Sequence, residues 1–177
     1  MNADEEPEAD RPDQAGTLLA LYDTALPEVY GYLVARCPSA TLAEDLTAET
    51  FLAAVAAVRA DKVPRLTVAW LITVARNKLV DHWRRLAREE RSLTLAHAVD
   101  ETDDPWDVVL DHGRALDTLA RLGPHHQAAL ALRHLDGLSV PEVASQLDRT
   151  VHATEALLVR ARSAFRRAYD EGSDDDA

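Results

Sequence analysis

Two groups of polar residues in this 177-residue chain are spaced for contact with nucleic acid. Asn77, Asp81, Arg84 and Arg88 recur at intervals of four, three and four, which sets them along one helix face. From Arg76 to Arg91 stand six basic residues (Arg76, Lys78, Arg84, Arg85, Arg88, Arg91) against three acids (Asp81, Glu89, Glu90). Cations in such an array can meet phosphate oxygens, which position a protein without specifying a sequence. Asn77 differs, because a carboxamide beside a Pro/Arg/Lys loop can hydrogen-bond an exposed base. The second group begins at a tight turn: Arg149, Thr150, His152, Glu155 and Ala156 lie where a helix starts. Arg160, Arg162, Arg166 and Arg167 follow at positions suited to phosphates. Each group also has a plainer reading, a solvated amphipathic helix for the first and an ordinary helical hairpin for the second.

The elements that must hold these residues are helical throughout, with no alternating strand pattern. Leu18, Tyr22, Leu26, Val29 and Leu33 form one helix face, and Pro27 is expected to kink or restart that helix. Thr41 to Glu44 reads as a capping box opening a helix to about Arg59. A breaker-rich loop from Ala60 to Leu66 precedes a long helix from about Val68 to Arg91, with Ile72, Leu79, Trp83 and Leu86 as its apolar stripe. Residues 92–110 lose the periodicity and read as a linker. Beyond it Leu116 and Leu119 share a face, Gly123-Pro124 makes a turn, and a helix from about His125 to Leu135 ends at Asp136-Gly137. Ser139 to Glu142 is a second capping box, opening a short helix with Val140, Val143, Ala144 and Leu147 inward. Asp148-Arg149-Thr150 turns the chain into a last helix to about Tyr169. Short helix, turn and longer helix match a helix-turn-helix, whose second helix enters the major groove.

Charge is the main objection to a nucleic-acid partner, since the chain carries −12 overall. The acid is concentrated in residues 3–13, 100–107 and 170–177, which hold 16 of the 31 acidic residues and one of the 19 basic ones. The remainder therefore has 18 basic against 15 acidic residues, and the acidic runs read as solvated segments. Cys37 is the one cysteine, so no internal disulfide forms, and the seven histidines show no zinc spacing. No metal or cofactor is expected. The N-terminus lacks a signal-like apolar stretch and no run approaches membrane-spanning length. The chain is expected to be soluble and cytoplasmic, without membrane insertion.

The segment Leu42-Ala-Glu-Asp-Leu-Thr-Ala-Glu-Thr-Phe-Leu52, followed by Ala69-Trp-Leu-Ile-Thr-Val-Ala-Arg-Asn-Lys-Leu-Val-Asp-His-Trp-Arg-Arg85, resembles the second conserved region of extracytoplasmic-function sigma factors. Leu119 to Arg167, with Gly137-Leu-Ser-Val-Pro-Glu-Val-Ala144 and Arg160-Ala-Arg162, resembles their fourth region. The resemblance covers the chain from about Leu18 to Tyr169. It implies an all-α protein of two small helical domains, a region 2 bundle at 17–91 and a region 4 helix-turn-helix at 111–169. A flexible acidic linker at 92–110 would join them, with an acidic arm at 1–16 and an acidic tail at 170–177.

The resemblance also implies three contacts. Asp45, Leu46 and Glu49 would dock on the clamp helices of the largest subunit of core RNA polymerase, and Asp45 and Glu49 share a face suited to a basic partner. Lys62, Arg65, Asn77, Lys78, Asp81, Arg84, Arg85 and Arg88 would hold the minus-ten element of promoter DNA, with a base flipped toward Asn77. Arg149, Thr150, His152, Glu155, Ala156, Val159, Arg160 and Arg162 would read the minus-thirty-five element. Phe51 and Trp70 read as core. An anti-sigma factor is the further expected partner. The family often carries basic or small polar residues where Glu155, Ala156 and Leu157 stand, which leaves upstream recognition open.

A stand-alone helix-turn-helix regulator would explain the second half and leave Asp45, Glu49 and Asn77 without a task. An all-helical enzyme would need acid–base chemistry from His125, His126 and scattered carboxylates, with no nucleophile or phosphate-binding loop beside them. A structural adaptor would not need the basic recognition face.

Overall fold

A computed structural model describes residues 14–63, 65–93 and 112–174, all in helices, turns and short loops. The first three helices are α1 (Gln14–Val34), α2 (Ala40–Arg59) and α3 (Val68–Leu93). The second group is α4 (His112–Arg121), α5 (Pro124–Leu130, running on into a wider turn, Ala131–Leu135), α6 (Val140–Leu147) and α7 (Val151–Asp174).

Helices α1, α2 and α3 pack pairwise against one another. Leu18, Ala25, Val29 and Leu33 of α1 bury against Ala43, Leu46 and Ala54 of α2 and Leu71, Ala75, Leu79 and Trp83 of α3. Pro27 does not restart the helix: α1 is one element through it. Ala25 and Val29 flank the proline and are fully buried, so packing on both sides holds the segment helical despite the lost amide donor. Tyr22 stays partly exposed and meets Phe51 edge-on, with ring centroids 4.9 Å apart.

The start of α2 differs from expectation. Ser39, not Thr41, is the N-cap, its Oγ accepting from the Leu42 amide at 3.3 Å. Ser39 is extended at φ −149° and ψ 151°, so the helix begins at Ala40, before the expected start, and Thr41 falls inside its first turn. At Ser139 the expected box forms: both its amide and its hydroxyl donate to Glu142 Oε2, at 2.7 and 2.6 Å. These bonds, Oγ first, lower the Glu142 pKa.

In the second group Gly123 precedes Pro124, which opens α5 at the position where a missing amide costs nothing. The end of that helix widens: Asp136 N–H donates to the Ala131 carbonyl five residues back, at 3.0 Å. Gly137 then takes φ +69°, the left-handed conformation glycine adopts without penalty. Helix α7 packs on α5, α6 and α4 through Leu157, Leu158, Ala161 and Phe165. It runs to Asp174, so residues 170–174, expected in a tail, continue the helix. Likewise α1 starts at Gln14 and α3 reaches Leu93, inside the spans expected as arm and linker. The rest of those spans, and residues 175–177, lie outside the described residues.

The two groups share one apolar core, crossing from α3 to α5. No described helix is long and apolar enough to cross a membrane.

Candidate nucleic-acid and protein interface

The outer face of α2 carries Asp45 and Glu49, both exposed, with Leu52 beside them at 68 % exposure. Leu46 does not belong to that face. It is 4 % exposed and packs inward, so its contribution is to position the two acids. Glu49 Oε2 lies 3.4 Å from Lys78 Nζ on α3. The expected docking and strand-holding residues therefore touch. An exposed pair of this kind contributes about 0–1 kcal/mol, so its members exchange partners cheaply.

On α3 the polar stripe is divided. Asn77 and Asp81 face solvent. Arg84 is half-buried, donating to Asp81 Oδ1 at 3.5 Å and to the Gln146 carbonyl of α6. Arg88 reaches the groove between the helix groups. Arg85 is exposed and 3.1 Å from His82 Nδ1. Burial, then the Arg85 charge, lowers the His82 pKa.

The loop before α3 is anchored by Val63, 1 % exposed, while Lys62 and Arg65 on either side point outward. Asp61 takes φ 51° to leave α2, and Thr67 Oγ1 caps α3 by accepting from the Trp70 amide at 3.1 Å. Trp70 is half-buried against the core.

At the helix-turn-helix, Asp148 is left-handed at φ 53° and turns the chain. Thr150 caps α7, its Oγ1 accepting from the Ala153 amide at 3.2 Å. The first turn of α7 presents His152, 97 % exposed in its side chain, and Glu155, 4.0 Å apart. Ala156, Val159, Arg160 and Arg162 are half-buried along the same helix. Leu157 is buried at 3 %, so a side chain there has no route to a DNA surface in this packing. Arg149 leans back onto α5, its Nη2 3.2 Å from His125 Nδ1.

One polar cluster was not legible beforehand. The Asp136 side chain, 2 % exposed, accepts from Arg36 Nε and Nη2 at 3.0 and 2.7 Å. Its other oxygen accepts from Arg76 Nε at 3.0 Å and from the Tyr32 hydroxyl at 2.9 Å. Arg36 also stacks over the Tyr32 ring at 3.9 Å. Burial, then the Asp136 charge, pushes the Tyr32 pKa up to about 12. This junction joins α1 and α3 to the end of α5.

Sequence comparison assigns the same two halves. The Sigma-70 region 2 family matches residues 21–89, and the Sigma-70 region 4 family matches residues 112–165. A three-helix group followed by a helix-turn-helix, carrying those regions in that order, defines a sigma-70-type initiation factor.

The ECF RNA polymerase sigma factor BldN of Streptomyces coelicolor is 36 % identical over 148 residues, 80 % of this chain and 56 % of BldN. The RNA polymerase sigma factor CarQ of Myxococcus xanthus is 31 % identical over 129 residues, 70 % of this chain and 72 % of CarQ. The sigma factor RpoE of Bartonella quintana, solved in complex with the anti-sigma factor NepR, shares the fold. It is 20 % identical, with a TM-score of 0.53, over 87 % of this chain and 97 % of that one. The chain belongs to the extracytoplasmic-function (ECF) family of RNA polymerase sigma factors.

Proposed function

We propose that α2 docks this sigma factor on core RNA polymerase through Asp45 and Glu49, that α3 and the 61–66 loop hold the opened minus-ten strand, and that α6 and α7 read the minus-thirty-five element. The observation that carries this reading is the separation of exposed polar faces. Asp45 and Glu49 stand on α2, Asn77 and Arg85 on α3, and His152 and Glu155 on α7, while the apolar faces of all three helices meet in one core. Each face is built to be met by something outside the chain.

Unstacking a promoter base costs a few kcal/mol, offset by edge hydrogen bonds to Asn77 and by stacking in the bound state. Lys78, Arg84, Arg85 and Arg88 would supply phosphate contacts. Catalysis belongs to the polymerase in this reading, so the chain is no enzyme, and its place is the cytoplasm beside polymerase and DNA. The two helix groups act as separate domains on the polymerase, joined by residues 94–111. A protein partner of the anti-sigma kind would cover the exposed apolar side chains of α1 and α2, Leu19, Tyr22 and Leu52.

Co-purification with core polymerase, followed by promoter opening probed at single-stranded thymines, tests the reading. The wild-type chain should bind core enzyme and open a cognate promoter while binding that DNA poorly alone. Tight, specific DNA binding by the free chain with no polymerase association would replace this reading with a stand-alone regulator.

A further inference from the structure

The first two turns of α7 present a narrow set of side chains. Val151, His152 and Glu155 are exposed there, while Thr154, Leu157 and Leu158 are buried and Ala153 and Ala156 half-covered. The polar residues on either side are committed elsewhere. Arg149 leans onto His125 of α5, and Thr150 Oγ1 accepts from the Ala153 amide. Arg160 and Arg162 lie further along the helix, half-buried. Between Val151 and Leu158 the titratable side chains are therefore His152 and Glu155. Glu155 Oε2 stands 4.0 Å from His152 Nδ1, beyond hydrogen-bond length, so the carboxylate keeps its acceptor capacity for something outside the chain.

An ionised carboxylate can only accept, and few groups in the major groove donate. Guanine N7 and O6 and thymine O4 are acceptors; the donors are cytosine N4 and adenine N6. Adenine N6 has an acceptor on each side, its own N7 and the thymine O4, whereas cytosine N4 has one, the guanine O6. With α7 as the reader of the minus-thirty-five element, on which this rests, we propose that Glu155 selects a C·G pair there. It accepts from cytosine N4 and repels the acceptor edges of the other bases. The same charge is repelled by phosphates, so Glu155 is a filter more than an anchor: it adds selectivity, not general affinity. Removing the carboxylate thus acts in opposite directions on two sets of promoters, weakening those with the cytosine and strengthening those without it. A residue that merely held the helix in shape would shift both sets the same way.

Selection from a promoter library randomised across both elements, with the full chain bound to core RNA polymerase, tests this. The wild-type chain should enrich a C·G pair at one upstream position by about tenfold or more over the other pairs. Glu155→Ala should lose that preference, using the cytosine promoter less and its other-base versions more. Glu155→Gln should move the preference to A·T, because a carboxamide pairs with adenine N6 and N7 together. Glu155 is exposed and its approach to His152 contributes little, so both variants should fold; circular dichroism and core polymerase affinity check this. An upstream preference unchanged in both variants, or an equal loss on every promoter, would overturn the role of Glu155 and leave α7 on the element. A wild-type selection that finds a minus-ten preference and no upstream one would overturn both.

Discussion

The two helix groups solve the same packing problem with different materials. The first uses large side chains, with Trp83, Leu33, Leu71 and Leu79 fully buried between three long helices. It nonetheless leaves Leu19, Tyr22, Val34 and Leu52 exposed. The second packs the α5 segment through three alanines, Ala128, Ala129 and Ala131, around Leu130, so that α7 can lie close, and among the described residues Val151 is the exposed large apolar residue it contributes. A surface that keeps apolar groups in water is shaped for a protein partner, whereas one that spends its exposure on His152, Glu155 and the turn residues suits a polar duplex. The difference teaches that the division of labour lies in what each group leaves uncovered, not in its secondary structure.

The largest test of that comparison is the contact that joins the groups. Asp136→Ala leaves Arg36 and Arg76 facing each other in a buried site, and loss of one partner from such a cluster costs about 3–5 kcal/mol. Hydrogen exchange should accelerate in α5 and at the α1 end near Arg36, and scattering should report a larger radius of gyration. An unchanged radius and exchange pattern would mean that the shared apolar core alone holds the groups together.

Next in size is the outer face of α2. Reversing both charges with Asp45→Arg and Glu49→Arg should weaken core polymerase binding by about a hundredfold or more, because close interfacial charge pairs couple strongly. Stability should barely change, since the Glu49–Lys78 pair is exposed. Polymerase affinity that survives the reversal would remove α2 from the docking surface.

A smaller effect separates the junction from the rest by pH. The Tyr32 pKa is raised from 10.0 to about 12, so the folded chain keeps the phenol neutral where the unfolded chain would ionise it. That contribution is whole below pH 10 and is lost as pH rises toward 12, about 1–3 kcal/mol in all. Cys37, pushed up to about 11 by burial, acts in the same direction, so the measurement is a difference between wild type and Tyr32→Phe. Denaturant midpoints should lie apart near neutrality, where the hydroxyl bond to Asp136 contributes, and converge in alkali. Parallel curves would show that Tyr32 titrates without regard to the junction.

Much of the helical layout was legible because apolar spacing and caps are local. The Ser139–Glu142 box, the glycine exit at Gly137 and the polar stripe of α3 all lie within a few residues of their own cause. The start of α2 went astray when two hydroxyls competed two residues apart and the one following Pro38 won. The end of α7 was misplaced because an acidic run suggested solvated tail, although helix requires only backbone continuity and a packed face upstream. The Asp136 junction left no trace, since its partners Tyr32, Arg36 and Arg76 stand 60 to 104 residues away and each reads singly as a surface residue. For the same reason the stripe of Asn77, Asp81, Arg84 and Arg88 looked uniform in sequence, whereas the second helix group draws Arg84 and Arg88 toward itself.

That division sharpens the last and smallest prediction. Asn77 is exposed and is a member of neither the Asp136 junction nor the Glu49–Lys78 pair, so replacing it should disturb neither packing nor the proposed docking. A single well-placed base contact is worth about 1–3 kcal/mol, so Asn77→Ala should slow promoter opening roughly tenfold. Core polymerase affinity and thermal stability should stay at wild-type values, because the lost bond exists only once a base has left the duplex. If opening is unaffected while Lys62→Ala or Arg65→Ala slows it, strand capture rests on the exposed loop cations and not on the α3 carboxamide. The sequence preference at the opened base should then relax little, since cations meet phosphates that every sequence shares.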